Sequence, residues 1–292
     1  MTELLGPVPF DYRVRVPEGP LRRLVESIWY ARGTVPYTRE KIAPTGSTVA
    51  VFVLGDPIKQ TADNGEAPPV VSERGFLIGP HDRPTVNEPL GETFAVGIVC
   101  TPVGCRPVFG VDPADIAGRV APIESVWPTA RVIGRALRNG SAGGTPPGPD
   151  EMLDLVEAAV VDGLDDGVAG IDRCTRAVRL LEEDPTRSIG DLAAELAVSH
   201  GHLDREFTRV VGLSPRVLGR LLRMRSLLSR IDVRGEVGWS DRAAELGWYD
   251  QAHLIRDFKR HTGVTPTRYL EAQRASYTTV EAGDAAGFVP EP

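Results

Sequence analysis

Residues 250–262, DQAHLIRDFKRHT, combine polar groups at the start of a helical pattern with apolar residues on one side. Gln251 and Arg256 can each form two hydrogen bonds to one base edge, Gln to adenine and Arg to guanine. Leu254 and Phe258 lie four residues apart, so they share a face of the helix. The pattern predicts a short helix that packs through its apolar side and binds nucleic acid through its polar side.

This pattern occurs twice, at a separation of 51 residues. The repeated residues are His202, Leu203, Arg205, Phe207, Gly212, Ser214 and Pro215 in the first copy and His253, Leu254, Arg256, Phe258, Gly263, Thr265 and Pro266 in the second. The string AAEL precedes both, at 193–196 and 243–246, so the second turn is one residue longer. Each copy predicts two helices around a tight turn, with Ser199 or Asp250 as N-cap and glycine as C-cap.

A helix, a short turn and a second helix form the unit that places its second helix in the major groove of DNA. Arg and His on a helix surface are also ordinary features of a solvated face, but the duplication favours DNA binding. Between the copies, residues 215–231 carry Leu at helical intervals and five Arg, which predicts one linker helix. Two units in successive grooves would lie about 34 Å apart.

The charge distribution supports a division of the chain into two parts. The net charge is −7, yet residues 170–276 hold 18 basic and 15 acidic residues, a net charge of +3. An acidic body attached to a mildly basic module is therefore expected. The chain has no apolar run of about 20 residues and no basic-then-apolar N-terminus, so we expect a cytoplasmic protein without a membrane partner.

The first half shows short apolar segments separated by Gly and Pro, which predicts a mainly β domain. We expect strands within 47–57, 75–80 and 92–102, helices at 21–30 and 151–164, and a linker at 139–150. The predicted domains are a β-rich domain over 1–165 and a DNA-binding domain over 170–275, followed by a disordered tail over 277–292.

Sequence motifs of catalysis are missing. The sequence contains no phosphate-binding glycine loop, no HExxH and no GxSxG. Cys100 and Cys105 could form a redox or metal pair, although isolated Cys are usually buried hydrophobes. His200 and His202 point to different sides of a helix, and His81 is the only His of the β-rich half. We therefore predict no enzyme activity, catalytic residue, metal or cofactor.

The helical half resembles the C-terminal domain of AraC/XylS transcription regulators, through LAAELAVSHGHLDREFTRVVGLSP, LGRLLRMRSLL and AAELGWYDQAHLIRDFKRHTGVTPTRYL over residues 170–272. This resemblance implies two helix-turn-helix units joined by a linker helix. The first half is similar to the sensory domain of one branch of that family, through APTGSTVAVFVLGDP, GFLIGPHDRP and TPVGCRPVFG, which implies a cupin-like sheet or barrel. The expected fold class is thus two-domain α+β: a mainly β cupin-like domain with flanking helices, then an all-α domain.

The pattern and the resemblance together give one set of candidate DNA-binding residues. They are Ser199, His200, Gly201, His202, Asp204, Arg205, Thr208 and Arg209 in the first unit and Tyr249, Asp250, Gln251, His253, Arg256, Lys259 and Arg260 in the second. Gly201 has no side chain to read a base, and Asp204 would repel phosphates. The first helix is therefore expected to depend on Arg205 and phosphate contacts, and the second to choose the sequence.

The sequence predicts a transcription regulator that binds double-stranded promoter or operator DNA and responds to an unidentified small-molecule effector. A second hypothesis makes the β-rich domain a protein-interaction or dimerisation module without a ligand. A third, a β-barrel enzyme fused to a helical regulator, is disfavoured by the lone His81. RNA polymerase and a second copy of the chain are further candidate partners.

Overall fold

The first part of the chain forms two antiparallel sheets. The computed structural model describes residues 10–62, 68–139, 147–165, 167–277 and 286–291. The strands in these residues are β1 (Asp11–Arg15), β2 (Val25–Gly33), β3 (Arg39–Ile42), β4 (Val49–Val53), β5 (Ile58–Ala62), β6 (Val70–Ser72), β7 (Phe76–Ile78), β8 (Thr85–Pro89), β9 (Thr93–Cys100), β10 (Val120–Pro122) and β11 (Phe288–Glu291). One sheet has the order β1-β2-β9-β4-β7-β10, and the other has the order β11-β3-β8-β5-β6.

Helices follow the sheets and make up the second part. They are α1 (Cys105–Phe109), α2 (Pro113–Ile116), α3 (Ile123–Val126), α4 (Ala130–Asn139), α5 (Pro149–Asp162), α6 (Ile171–Glu183), α7 (Ile189–Glu195), α8 (His200–Val211), α9 (Pro215–Leu228), α10 (Trp239–Glu245), α11 (Gln251–Thr262) and α12 (Pro266–Ser276). The predicted two-part arrangement, β-rich and then helical, is confirmed.

The six-stranded sheet is covered on both faces. Ile28 and Phe52 on one face share a core with Leu137 of α4 and Val156 of α5. On the other face, residues of β4 and β7 pack with Ile58 of β5, so the five-stranded sheet forms the second layer there. Burial of both faces explains why these strands are nearly continuous apolar runs.

The predicted helix at 21–30 is wrong. Residues Gly19–Arg23 form a 3₁₀ turn, and the chain then continues as β2, which pairs with β1 and β9. Leu21, Val25 and Ile28 fit helical spacing, yet all three are buried in one core together with Tyr30. The alternation of Ile28 and Tyr30 about Trp29 is the strand pattern, and hydrogen bonding on both sides favours it.

Residues 277–292 were predicted to be a disordered tail, and the structure corrects this for residues 288–291. They form β11, which pairs antiparallel with β3 at the edge of the five-stranded sheet. Val289 is buried together with Ala43, after β3, and with Tyr269 of α12. Residues 278–285 and most of the predicted linker, 140–146, lie outside the described residues.

Candidate nucleic-acid interface

The repeated stretches form two helix-turn-helix units, α7–α8 and α10–α11. Four residues separate the helices of the first unit and five separate those of the second, which confirms the longer second turn. Each turn contains one residue in the left-handed region, Ala197 with φ of 54° and Gly247 with φ of 78°. Alanine in that region costs roughly 1 kcal/mol or more, so tertiary packing must hold the first turn in place.

Both second helices begin and end as the sequence predicted. The Ser199 Oγ accepts from the backbone N–H of His202 at 3.2 Å, and the Asp250 Oδ1 accepts from that of His253 at 2.7 Å. Gly212 and Gly263 close the helices with φ of 80° and 73°. These local rules give α8 and α11 the same length, 12 residues each.

Apolar residues hold each of these helices against the rest of its unit. Leu203 and Phe207 of α8 are fully buried, as are Leu254 and Phe258 of α11. The first pair packs with α6, α7 and α9, and the second packs with α10, α12 and the end of α9. The exposed residues of each helix therefore lie on the sides that face away from this apolar packing.

Most of the candidate DNA-binding residues lie on these outer faces. The exposed residues are Ser199, His200, Gly201, His202, Asp204, Arg205, Thr208, Arg209, Tyr249, Asp250, Gln251, Arg256 and Lys259, whereas His253 and Arg260 are half-buried. Tyr249 is 93% exposed at the start of the second helix. The Oε1 atom of Gln251 accepts a hydrogen bond from the Ser240 hydroxyl at 2.9 Å, which orients its amide.

Three of the basic candidates already contact residues outside their own helix. Arg209 donates to the backbone oxygen of Ala169 at 2.6 Å, and the His202 ring lies 3.0 Å from an Arg173 nitrogen. Arg260 contacts Asp82 of the β-rich part at 2.5 Å. Within the described residues, the structure records no such partner for Arg205, Arg256 or Lys259. These three exposed cations are free to meet a phosphate or a base.

A buried polar cluster, which the sequence did not predict, fixes α11 to the linker helix α9. Asp257 accepts from the Trp248 indole at 2.9 Å and from Arg223 at 3.3 Å. The Arg223 guanidinium also lies over the Trp248 ring, 4.4 Å from its centre. Burial lowers the pKa of Arg223, and Asp257 opposes that shift. The cluster joins residues 34 positions apart, so no local spacing pattern reveals it.

The loop of residues 79–84 packs against the C-terminal ends of both second helices. A Cβ atom placed on Gly212 would lie 2.6 Å from Pro80, and one on Gly263 would lie 3.1 Å from Pro84. The His261 ring donates from Nδ1 to the backbone oxygen of Asp82 at 2.8 Å. The two parts of the chain therefore meet at the glycine caps of α8 and α11.

No three His, Cys, Asp or Glu side chains of the described segments converge as metal ligands. In the same segments, no helix is both long enough and apolar enough to cross a membrane.

Two family comparisons match different parts of the chain. Residues 192–272 match a family described as a helix-turn-helix domain, and residues 13–122 match a domain of unknown function, DUF6597. The first match covers both second helices and the linker helix. No curated protein matches the chain significantly.

Several solved structures are similar to this chain. ToxT from Vibrio cholerae is 13% identical, with a TM-score of 0.46, over 90% of this chain and 98% of that one. A DNA-binding transcriptional dual regulator from Escherichia coli K-12 is 25% identical, with a TM-score of 0.30, over 34% of this chain and 89% of that one. The C-terminal domain of AraT, a response regulator from Geobacillus stearothermophilus, is 22% identical, with a TM-score of 0.31, over 34% of this chain and 84% of that one.

Proposed function

We propose that this protein, an AraC-type transcription regulator by its C-terminal helix-turn-helix domain, recognises a specific duplex sequence by placing α8 and α11 in successive major grooves. AraC-type regulators are not enzymes, in agreement with the sequence prediction. The observation that carries the proposal is the exposure of Gln251 in the first turn of α11 and of Arg256 on the side of that helix opposite the buried Leu254 and Phe258.

The two helices contribute unequally to sequence choice. Gln251 has its amide oriented by Ser240, and a carbonyl oxygen can accept a second bond, so the amide remains able to pair with adenine. Arg256 is free to bind guanine through its two-pronged guanidinium. In α8, Arg205 stands at the position equivalent to Arg256, but its neighbours on the exposed side, Gly201 and Asp204, add no donor for a second base contact. We assign sequence choice mainly to α11 and phosphate contacts mainly to α8, through Arg205.

Equilibrium titration with duplex DNA tests this assignment. Selection from a random duplex library first gives the preferred site. Arg256→Ala should then weaken binding to that site by about 1 to 3 kcal/mol and relax the preference at one or two base pairs. The control is Arg119→Ala, which removes an exposed Arg of the β-rich part. Equal affinities of both variants at fixed salt would refute the placement of α11.

We further propose that the β-rich part, which we expect to be cupin-like, regulates DNA binding. Its loop 79–84 packs on the ends of α8 and α11, so a movement of that loop would act on both helices. A small-molecule effector at 100 times its Kd should stabilise the protein by roughly 2.7 kcal/mol in a thermal-shift screen. The proposed activity also requires that the protein share a compartment with DNA, which is the cytoplasm in bacteria.

A dimerisation role for the β-rich part has its own support. Phe10, Tyr12, Val14 and Val16 alternate along β1 and its flanks and are 47–53% exposed. β1 is the outer strand of its sheet, and an exposed apolar edge strand is a template for pairing with another chain. Analytical ultracentrifugation tests this, because Val14→Lys should shift a dimer to monomer while Val132→Lys, on α4, should not. A wild-type protein that sediments as a monomer at micromolar concentration would exclude it.

A further inference from the structure

A charged site lies in the β-rich part, away from helices α8 and α11. The turn before β7 and helices α3 and α4 border an open surface cavity of about 320 Å³. Four arginines and two glutamates line it, namely Arg74, Arg131, Arg135, Arg138, Glu73 and Glu124. We call this the arginine cavity. Its size suits a small ligand, and its lining suits a charged one.

One carboxylate is shared by two of the arginines. Glu124 accepts from Arg74 at 3.2 Å and from Arg131 at 3.3 Å. Burial tends to raise the pKa of Glu124, but the hydrogen bonds from the two guanidinium groups outweigh it and lower the pKa. Glu124 is therefore ionised, and its single negative charge is divided between two cations.

Arg138 is held in place without an acidic partner among the described residues. Its guanidinium donates to the backbone oxygens of Gly134, Val53 and Glu73 at 3.1, 2.8 and 3.1 Å. Burial and the nearby Arg74 lower the pKa of Arg138. A cation that is partly withdrawn from water is costly unless an anion neutralises it. Here three neutral carbonyl groups fix its position, and Glu124, whose charge opposes the lowering of the pKa, is already hydrogen-bonded to Arg74 and Arg131.

Arg135 adds a further positive charge. It lies four residues after Arg131 and three before Arg138, so the three side chains follow one stripe of α4. Arg135 is exposed, and the described residues record no ion pair for it. Like charges at this spacing destabilise a helix by roughly 0.2 to 0.5 kcal/mol per pair. Their repulsion would be relieved by an anion in the cavity.

We propose that the arginine cavity binds a small anion carrying at least two negative charges on phosphate or carboxylate groups. Arginine recognises both groups through paired N–H donors, and the fixed Arg138 reduces the entropy lost on binding. The site is independent of the DNA-binding function, since none of its residues belongs to α8 or α11.

Isothermal titration calorimetry with the full chain tests the proposal, using pyrophosphate and citrate as probes and sodium chloride to hold ionic strength constant. Both probes should bind with one site per chain. Arg135→Gln should weaken binding at least fivefold, while Arg119→Gln, an exposed arginine outside the cavity, should leave it unchanged. Glu73→Gln should tighten binding, because it removes a negative charge from the lining without removing a donor.

The gain expected for Glu73→Gln cannot result from misfolding, so it separates a ligand site from a structural cluster. Absence of binding by both probes would overturn the proposal. So would equal affinities in the Arg135→Gln and Arg119→Gln variants, provided that both melt at the wild-type temperature. If Arg135→Gln weakened binding of duplex DNA but not of pyrophosphate, the cavity would be a DNA-backbone contact instead.

Discussion

Arg260 of α11 donates from both Nε and Nη2 to a single oxygen of Asp82, at 3.1 and 2.5 Å. Asp82 belongs to the β-rich part, and Arg260 is one of the candidate DNA-binding residues. The same guanidinium cannot hold Asp82 and a DNA phosphate with the same donors. In the proposed complex, contact between the two parts of the chain and contact with DNA would therefore compete for one side chain.

We predict that Asp82→Asn raises the affinity for DNA. The substitution releases Arg260 and removes one negative charge near α11, with an expected gain of about 1 kcal/mol at moderate salt. Fluorescence anisotropy measures the affinity for DNA. The slope of the logarithm of the binding constant against the logarithm of the salt concentration should steepen by the amount expected for about one more phosphate contact. Asp162→Asn removes the same charge at the exposed end of α5 and serves as the control. A loss of affinity in Asp82→Asn alone would show that the Asp82 contact assists binding.

We predict that acidification destabilises the contact between the two parts. Burial lowers the pKa of His261, which faces Asp82, Asp257 and Arg260, and burial also lowers the pKa of His81 in the contacting loop. Between these lowered values and the ordinary value of about 6.5, the unfolded chain binds protons that the folded chain does not. The free energy of unfolding is therefore highest above pH 6.5 and falls as the pH drops through this range.

Thermal melts between pH 7.5 and 5.0 measure this effect. His261→Gln should flatten the pH dependence, whereas His200→Gln, at an exposed position, should not. If the melting temperature of the wild type stayed constant over this range, neither buried imidazole would stabilise the protein in its neutral form.

We predict that Val289→Ala destabilises the protein although it lies near the end of the chain. Val289 is 1% exposed and packs in the core of the second helix-turn-helix unit. Removal of two buried methyl groups costs about 1 to 3 kcal/mol, by analogy with other large-to-small changes in cores. Urea unfolding measures it, with Val132→Ala as control because Val132 is 70% exposed. Equal midpoints would mean that β11 does not pair with β3 in solution.

We predict that the cysteine thiols react slowly with a thiol reagent in the native protein. All three are buried, and burial raises the pKa of Cys105 to about 11, that of Cys174 to about 12 and that of Cys100 above its usual range. Since the thiolate is the nucleophile, reaction at pH 7.5 should require unfolding and should accelerate in urea. Rapid labelling of Cys100 or Cys105 in buffer would favour the redox hypothesis for that pair.

The recognition helices could be predicted because their signals are local. The caps of these helices act within one helical turn: the N-caps are Ser199 and Asp250, and the C-caps are Gly212 and Gly263. Each kind of cap occurs in both copies of the repeat, which strengthened the prediction. The helix predicted at 21–30 failed because the helical spacing of Leu21, Val25 and Ile28 has another origin. Leu21 lies in a 3₁₀ turn, and a register shift between Val25 and Ser27 lets Val25 and Ile28 enter the same core from one strand. The segment forms a strand because β1 and β9 hydrogen-bond to it on both sides. A pattern within residues 21–30 cannot show pairing with strands that lie outside that segment.

Contacts between the two parts could not be predicted from composition or spacing. Asp82 and Arg260 are 178 residues apart, and neither stands in a pattern that points to the other. The arginine cavity joins a turn, α3 and α4 in the same way. The tail was expected to be disordered from its Gly, Pro and acidic residues, but the edge of β3 offers unpaired backbone groups that a four-residue strand can satisfy.

β11, the strand that follows α12, ties the helix-turn-helix part to the edge of the five-stranded sheet. This attachment adds to the covalent connection from α5 to α6 and to the packing of loop 79–84 on α8 and α11. Hydrogen bonds from Tyr269 to Ala286 and from Gln273 to Phe288 join α12 to the β11 segment. A rotation of α8 and α11 away from the sheets would therefore require α12 either to pull β11 off the edge of β3 or to let go of it.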